Sequence, residues 1–105
     1  MAILMVTYVG NAISRFDRGY YDNHHIPLAQ QAWAPFGLDR VEVFYPVKVA
    51  DASDIVAMSL CYFADRDGLD RALAAGESEA VAADIASFTD IEPIRTIVTA
   101  TGRAD

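Results

Sequence analysis

A chain of 105 residues suits one domain, spanning 1–105, with a small but genuine core. Its formal charge of −7 excludes nucleic acid and anionic membrane surfaces as partners, because both need a basic face. A single cysteine, Cys61, has no intramolecular disulfide partner, and together with the absence of a signal-peptide pattern this reads as a cytoplasmic protein.

Ala2 to Val9 is a nearly continuous apolar run rich in β-branched and aromatic residues, which predicts a strand buried on both faces. Gly10-Asn11 ends it. Ser14 or Asp17 can cap a helix that runs to about Phe36, with Gly37 placed to close it. Pro27 interrupts this helix. It has no N–H for the carbonyl of Asn23 and its ring crowds that carbonyl, so a kink or break is expected at Asn23 to Ile26. Both histidines of the chain, His24 and His25, fall at this break.

Val41 to Val47 reads as the second strand, at an edge because of Pro46. After a turn at Asp51 to Asp54 comes the third strand, Ile55 to Phe63, apolar in both of its alternating sets. Asp65 or Asp67 caps a short helix over Leu69, Ala72 and Leu73, which Gly76 closes. Ser78 is placed to cap the next helix, running to about Phe88, and Ile94 to Ala100 forms the last strand. The polar tail from Thr101 to Asp105 is expected to fray.

The order strand, helix, strand, strand, helix, strand is the split βαβ pattern of a ferredoxin-like α+β fold, a four-stranded antiparallel sheet with its helices on one face. An antiparallel sheet with one solvated face should alternate apolar and polar residues, yet the first and third strands do not. The uncovered face calls for a second copy, and a homodimer with sheets packed face to face is the expected assembly.

The stretch from Phe16 to Leu28 gathers the chemistry. His25 titrates near neutrality and can take or give a proton, or it can simply bond a freed backbone carbonyl at the kink. Asp84 lies on the apolar stripe of Val81, Ile85 and Phe88, where a carboxylate must be hydrogen-bonded. His25 or a tyrosine hydroxyl would satisfy it; backbone N–H groups of the first helix would do so in a purely structural role. Tyr21 and His25 share one helix face, and Tyr20 and His24 another. One of these pairs lines the cleft. Trp33 and Phe36 serve the core or an interface, or wall an apolar pocket. Cys61 reads as a small core residue. Adjacent histidines diverge on a helix and there is no glycine-rich phosphate loop, so neither a metal nor a cofactor is expected.

Phe16-Asp17, Tyr20-Tyr21, His25-Ile26-Pro27-Leu28, Ala83-Asp84-Ile85 and Phe88-Thr89 together resemble the EthD family of the dimeric α+β barrel (ferredoxin-like) superfamily, across nearly the whole chain. The resemblance implies the fold and the homodimer. It implies function more loosely, since relatives are linked to ether-fuel degradation and to cofactor-free dehydration or decarboxylation of polyketides. Wider relatives include cofactor-free monooxygenases, lactone isomerases and haem-degrading proteins, so haem bound through His24 or His25 is the exception to a cofactor-free reading. The resulting expectation is acid/base chemistry (isomerisation, dehydration or oxygenation) on a small apolar or aromatic molecule in a helix–sheet cleft. His25 would be the acid/base, Asp84 its orienting partner and Tyr21 a donor to substrate oxygen, with Tyr20, His24, Trp33 and Phe88 around the substrate. The alternatives are a non-catalytic module that stores a small molecule or delivers it to an oxygenase, and a structural dimerisation domain.

Overall fold

A computed structural model describes residues 1–101. The tail expected to fray lies, from residue 102 onward, outside the described residues. The strands are β1 (Ala2–Gly10), β2 (Leu38–Phe44), β3 (Asp54–Phe63) and β4 (Ile94–Val98). The helices are α1 (Arg18–Tyr20), α2 (Ile26–Trp33), α3 (Arg66–Ala74) and α4 (Glu77–Asp84), with a π turn over Tyr21–His25 and 3-10 turns at Ala34–Phe36 and Ile85–Ser87. The sheet order is β2-β3-β1-β4, and every pairing is antiparallel. This is the expected ferredoxin-like α+β arrangement.

The two alternating sets of each strand explain its apolar character. Leu4, Val6 and Tyr8 on β1 and Ala57, Cys61 and Phe63 on β3 are all buried beneath the helices. The opposite face carries Met5 against Leu60, Phe44 against Met58, and Thr7 against Ile94. Phe44 and Ile94 on that face are exposed. Pro46 falls just beyond β2, which is an edge strand but starts and stops three residues earlier than the sequence suggests. Gly37, at φ 93°, turns the chain directly from the 3-10 turn into Leu38, so pairing begins at once.

Pro27 does not break the first helix. The N–H of Ile26 donates to the carbonyl of Tyr21, five residues back, and α2 then restarts with proline in its first turn, where its missing N–H costs nothing. Asp17 caps α1 by accepting from the N–H of Tyr20, and Asp65 caps α3 by accepting from Gly68. Ser14 instead accepts from the N–H of Asn11 and tightens the preceding turn.

Two expectations in the second helical region are corrected. Gly76 does not close α3 in a left-handed conformation; its φ of −60° makes it the residue that leads into α4. Ser78 is not an N-cap. Its hydroxyl donates to the carbonyl of Ala72 at 2.5 Å and accepts from the indole N–H of Trp33 at 2.8 Å, so it ties α3, α4 and α2 together. A serine already inside the first helical turn can serve tertiary partners because Gly76 itself takes the boundary position.

Candidate functional site

The site starts from the π turn. One extra residue in that turn carries the chain from the exposed Asp22 to the buried His25, the last residue before Pro27. The imidazole lies under aromatic rings: Phe88 at 4.6 Å between centroids, and Tyr21 stacked at 5.4 Å. Tyr8, Phe16, Tyr21 and Phe88 pack mutually at 5.0–5.8 Å, mostly edge to face. Each such contact contributes about 0.5–1.5 kcal/mol beyond area burial.

Phe88 is held in place by chain-distant bonds. Phe16 bridges Thr89 in antiparallel fashion, and the N–H of Asp17 donates to the carbonyl of Phe88 at 2.9 Å. The Thr89 hydroxyl donates to the carbonyl of Arg15 at 2.6 Å, and Arg15 pairs with Asp90. The Phe16-Asp17 and Phe88-Thr89 motifs are thus two halves of one clamp over the histidine.

Asp84, the last residue of α4, receives His25. Nδ1 of the imidazole is 3.0 Å from its Oδ2, while the Tyr20 hydroxyl donates to its Oδ1 at 2.6 Å. Burial pushes the His25 pKa down, against the opposing pull of Asp84. Burial acts to raise the Asp84 pKa, but the bonds from Tyr20 and His25 outweigh it and hold the carboxyl below its ordinary range. Both directions describe one state: a neutral imidazole whose Nδ1–H donates to a carboxylate. Nε2 is then the nitrogen left to take a proton.

The tyrosine–histidine pairs divide as expected, Tyr21 with the buried His25 and Tyr20 with the exposed His24. Tyr21 is fully buried, and its hydroxyl donates to Ser59 on β3 at 3.1 Å. Burial pushes its pKa up to about 12. Tyr20 is the one that reaches Asp84, and it stacks on the exposed ring of His24 at 4.9 Å. Trp33 is buried over Phe63. Burial pushes the thiol of Cys61 up to about 11, as suits a core residue.

A void of about 20 Å³ lies between helices and sheet, lined by His25, Tyr21, Trp33, Ser59 and Arg95. It has room for about one water-sized guest. Two wider grooves flank α4: about 500 Å³ beside Ala82, Ile85 and Pro93, and about 360 Å³ beside Trp33, Gly76 and Ser78. Among the described residues, no group of three or more His, Cys, Asp or Glu side chains is arranged to hold a metal ion. No helix among them is long and apolar enough to cross a membrane.

Sequence reasoning missed Ser59, Tyr8 and Arg95. Ser59 and Tyr8 sit in apolar alternating sets, where only the strand register shows that they face the helix. Arg95 did leave a signal, as the lone charge within the run from Ile94 to Val98.

No family model and no curated protein matches the chain. Solved structures do. An EthD-like protein from Ralstonia eutropha JMP134 superposes with a TM-score of 0.81 at 21% identity, over 98% of this chain and 94% of that one. An EthD family protein from Bacillus halodurans C-125 gives 0.72 at 23% identity, over 96% and 99%. SnoaB, a cofactor-independent oxygenase from Streptomyces nogalater, gives 0.68 at 14%, over 97% and 95%. At these identities the likeness is one of fold, and the chain has the fold of the EthD-like proteins, a ferredoxin-like α+β sandwich.

Proposed function

We propose that the protein is a homodimer that acts on a small apolar or aromatic organic molecule by cofactor-independent acid/base chemistry centred on His25. The observation that carries this reading is the buried, neutral His25 with Nδ1 bound to the Asp84 carboxylate at 3.0 Å. The bond to Asp84 leaves Nε2 without a protein partner among the described residues, and that free nitrogen is what favours acid/base work over a purely structural pin.

In this reading Nε2 takes a proton from an activated C–H of the substrate. The electron pair left on carbon delocalises onto a neighbouring carbonyl or ring. The anion is then reprotonated elsewhere by the imidazolium for isomerisation, expels a β-hydroxide that takes the imidazolium proton and leaves as water for dehydration, or passes its electron pair to dioxygen as oxidant, forming a C–O bond and a hydroperoxide that takes that proton, for oxygenation. Asp84 is a positioning residue, holding the tautomer and stabilising the imidazolium as it forms. Tyr20 holds Asp84 and stacks on His24, Tyr21 and Phe88 pack on the ring of His25, and Trp33 lines the void beneath it. The cofactor-independent oxygenase SnoaB shares the fold and supports the reading without choosing among the three outcomes.

The homodimer rests on the apolar outer face of the sheet, where Met5, Met58 and Leu60 continue into the exposed Phe44 and Ile94. A second copy of the same face is the self-complementary cover.

The test needs no knowledge of the natural substrate. Enolisable aromatic ketones such as 2-tetralone and anthrone are incubated in deuterium oxide with the protein, and α-carbon exchange is followed by NMR. The native protein should accelerate exchange and His25→Ala should lose about 10²–10⁴-fold of it. Equal exchange by the two proteins overturns the catalytic role.

A further inference from the structure

We infer that Arg95 is an anchor for an anionic oxygen on the ligand, so that the site takes small aromatic acids or ionised enols and phenols in preference to neutral hydrocarbons. This deepens the His25-centred reading and rests on it.

Arg95 is the one residue that lines all three cavities around α4: the void beneath His25 and the two grooves that flank the helix. It projects from β4 opposite Val6, on the side of the sheet that faces the helices. Its surroundings on that side are the rings of Tyr8, Tyr21 and His25, not a carboxylate. Arg15, Arg40, Arg66 and Arg71 each lie within 4.0 Å of an aspartate, and Arg18 sits over the ring of Tyr45 at 4.5 Å, whereas Arg95 has neither kind of partner among the described residues. Asp90, which is paired with Arg15, and Glu92 line one groove and Glu79 the other, and none of them is within ion-pair distance of Arg95. The chain carries 15 acidic residues against 8 basic ones, so a guanidinium left unspent beside the candidate base is the feature to explain.

The chemistry fits the position. A guanidinium presents a planar fork of N–H donors that matches a carboxylate or an enolate oxygen. Proton removal by His25 creates such an oxygen on a carbonyl substrate. Arg95 is exposed and lines the same void as the imidazole, so its cation would stabilise that charge as it develops. The wider grooves that Arg95 also lines, with Ile85 and Pro93 on one side of α4 and Leu73 on the other, supply apolar wall for the rest of the molecule.

The test uses three two-ring probes: 2-naphthoate, 2,4-dinitro-1-naphtholate and the neutral 2-naphthalenemethanol. Binding is measured by calorimetry and by shifts of the Trp33 indole and His25 ring signals. One or both anions should bind at least about tenfold tighter than the neutral probe, a gap that Arg95→Met removes and Arg95→Lys partly keeps. Preference for naphthoate identifies a carboxylate ligand, and preference for the naphtholate an ionised enol or phenol. If all three probes bind alike and Arg95→Met changes nothing, the anchor is wrong while the cleft stands. If no probe moves Trp33 or His25, the anchor and the cleft reading fall together.

Discussion

Nδ1 of His25 and Oδ2 of Asp84 lie 3.0 Å apart although 59 residues separate them in the chain. The contact joins the end of the π turn to the end of α4 and turns Nδ1–H toward the carboxylate, while burial, against the pull of Asp84, keeps the imidazole neutral. Asp84→Asn should therefore lower the His25 pKa further, because burial would remain and the favourable carboxylate would be gone. NMR titration of the His25 ring protons checks this; a rise in pKa would contradict it.

The same pair makes stability fall in acid. His25 has a folded pKa below its unfolded value near 6.5, so at acidic pH the unfolded chain binds more protons. Asp84 is likewise depressed and acts in the same direction, lower on the scale. The contribution of His25 is complete above about pH 6.5 and is lost as pH falls through its folded value. Urea midpoints should stay flat near neutrality and decline below it, and His25→Asn should flatten the upper part of that decline.

The buried bond between Tyr21 and Ser59 predicts a recoverable loss. Ser59→Ala leaves the phenol of Tyr21 without its acceptor in the core, and should cost about 1–3 kcal/mol. Adding Tyr21→Phe removes the orphaned hydroxyl, so the double variant should regain part of that loss. Denaturant melts of the four proteins in the cycle give the coupling directly.

On the outer face of the sheet, Met58 lies between Thr7 on β1 and Phe44 on β2. Met58→Glu would place a carboxylate in the apolar outer face of each copy, within the proposed dimer contact. Light scattering should report a dimer for the native protein and a monomer for the variant, with far-UV circular dichroism retained in both. A native monomer would remove the homodimer.

Gly68 permits the close approach of α3 to the 3-10 turn after α2. A Cβ at this position would collide with the carbonyl oxygen of Phe36, which is backbone and cannot swing aside. Gly68→Ala should lower stability by about 1–3 kcal/mol despite its better helix propensity. Thermal unfolding checks this, with Gly76→Ala as the control, because Gly76 has open space around it.

The elements of this fold were written locally. Apolar runs without alternation marked β1 and β3, Asp17 and Asp65 marked helix starts, and Gly37 marked the turn into β2, because strand burial, capping and a positive φ each act within a few residues. His25 and Asp84 were also legible, one as a histidine at a helix irregularity and the other as a carboxylate on an apolar stripe. The sequence could not say that Pro27 would be absorbed by a π turn instead of a break, nor that Tyr20 and not Tyr21 would reach Asp84. Those outcomes depend on a single added residue in one turn, which shifts side chains around the helix. Nor could it place Arg95 beneath α4 or the Tyr21 hydroxyl on Ser59, since strand register and helix docking join residues dozens of positions apart. Local chemistry determined which residues were available; only tertiary packing decided which of them meet.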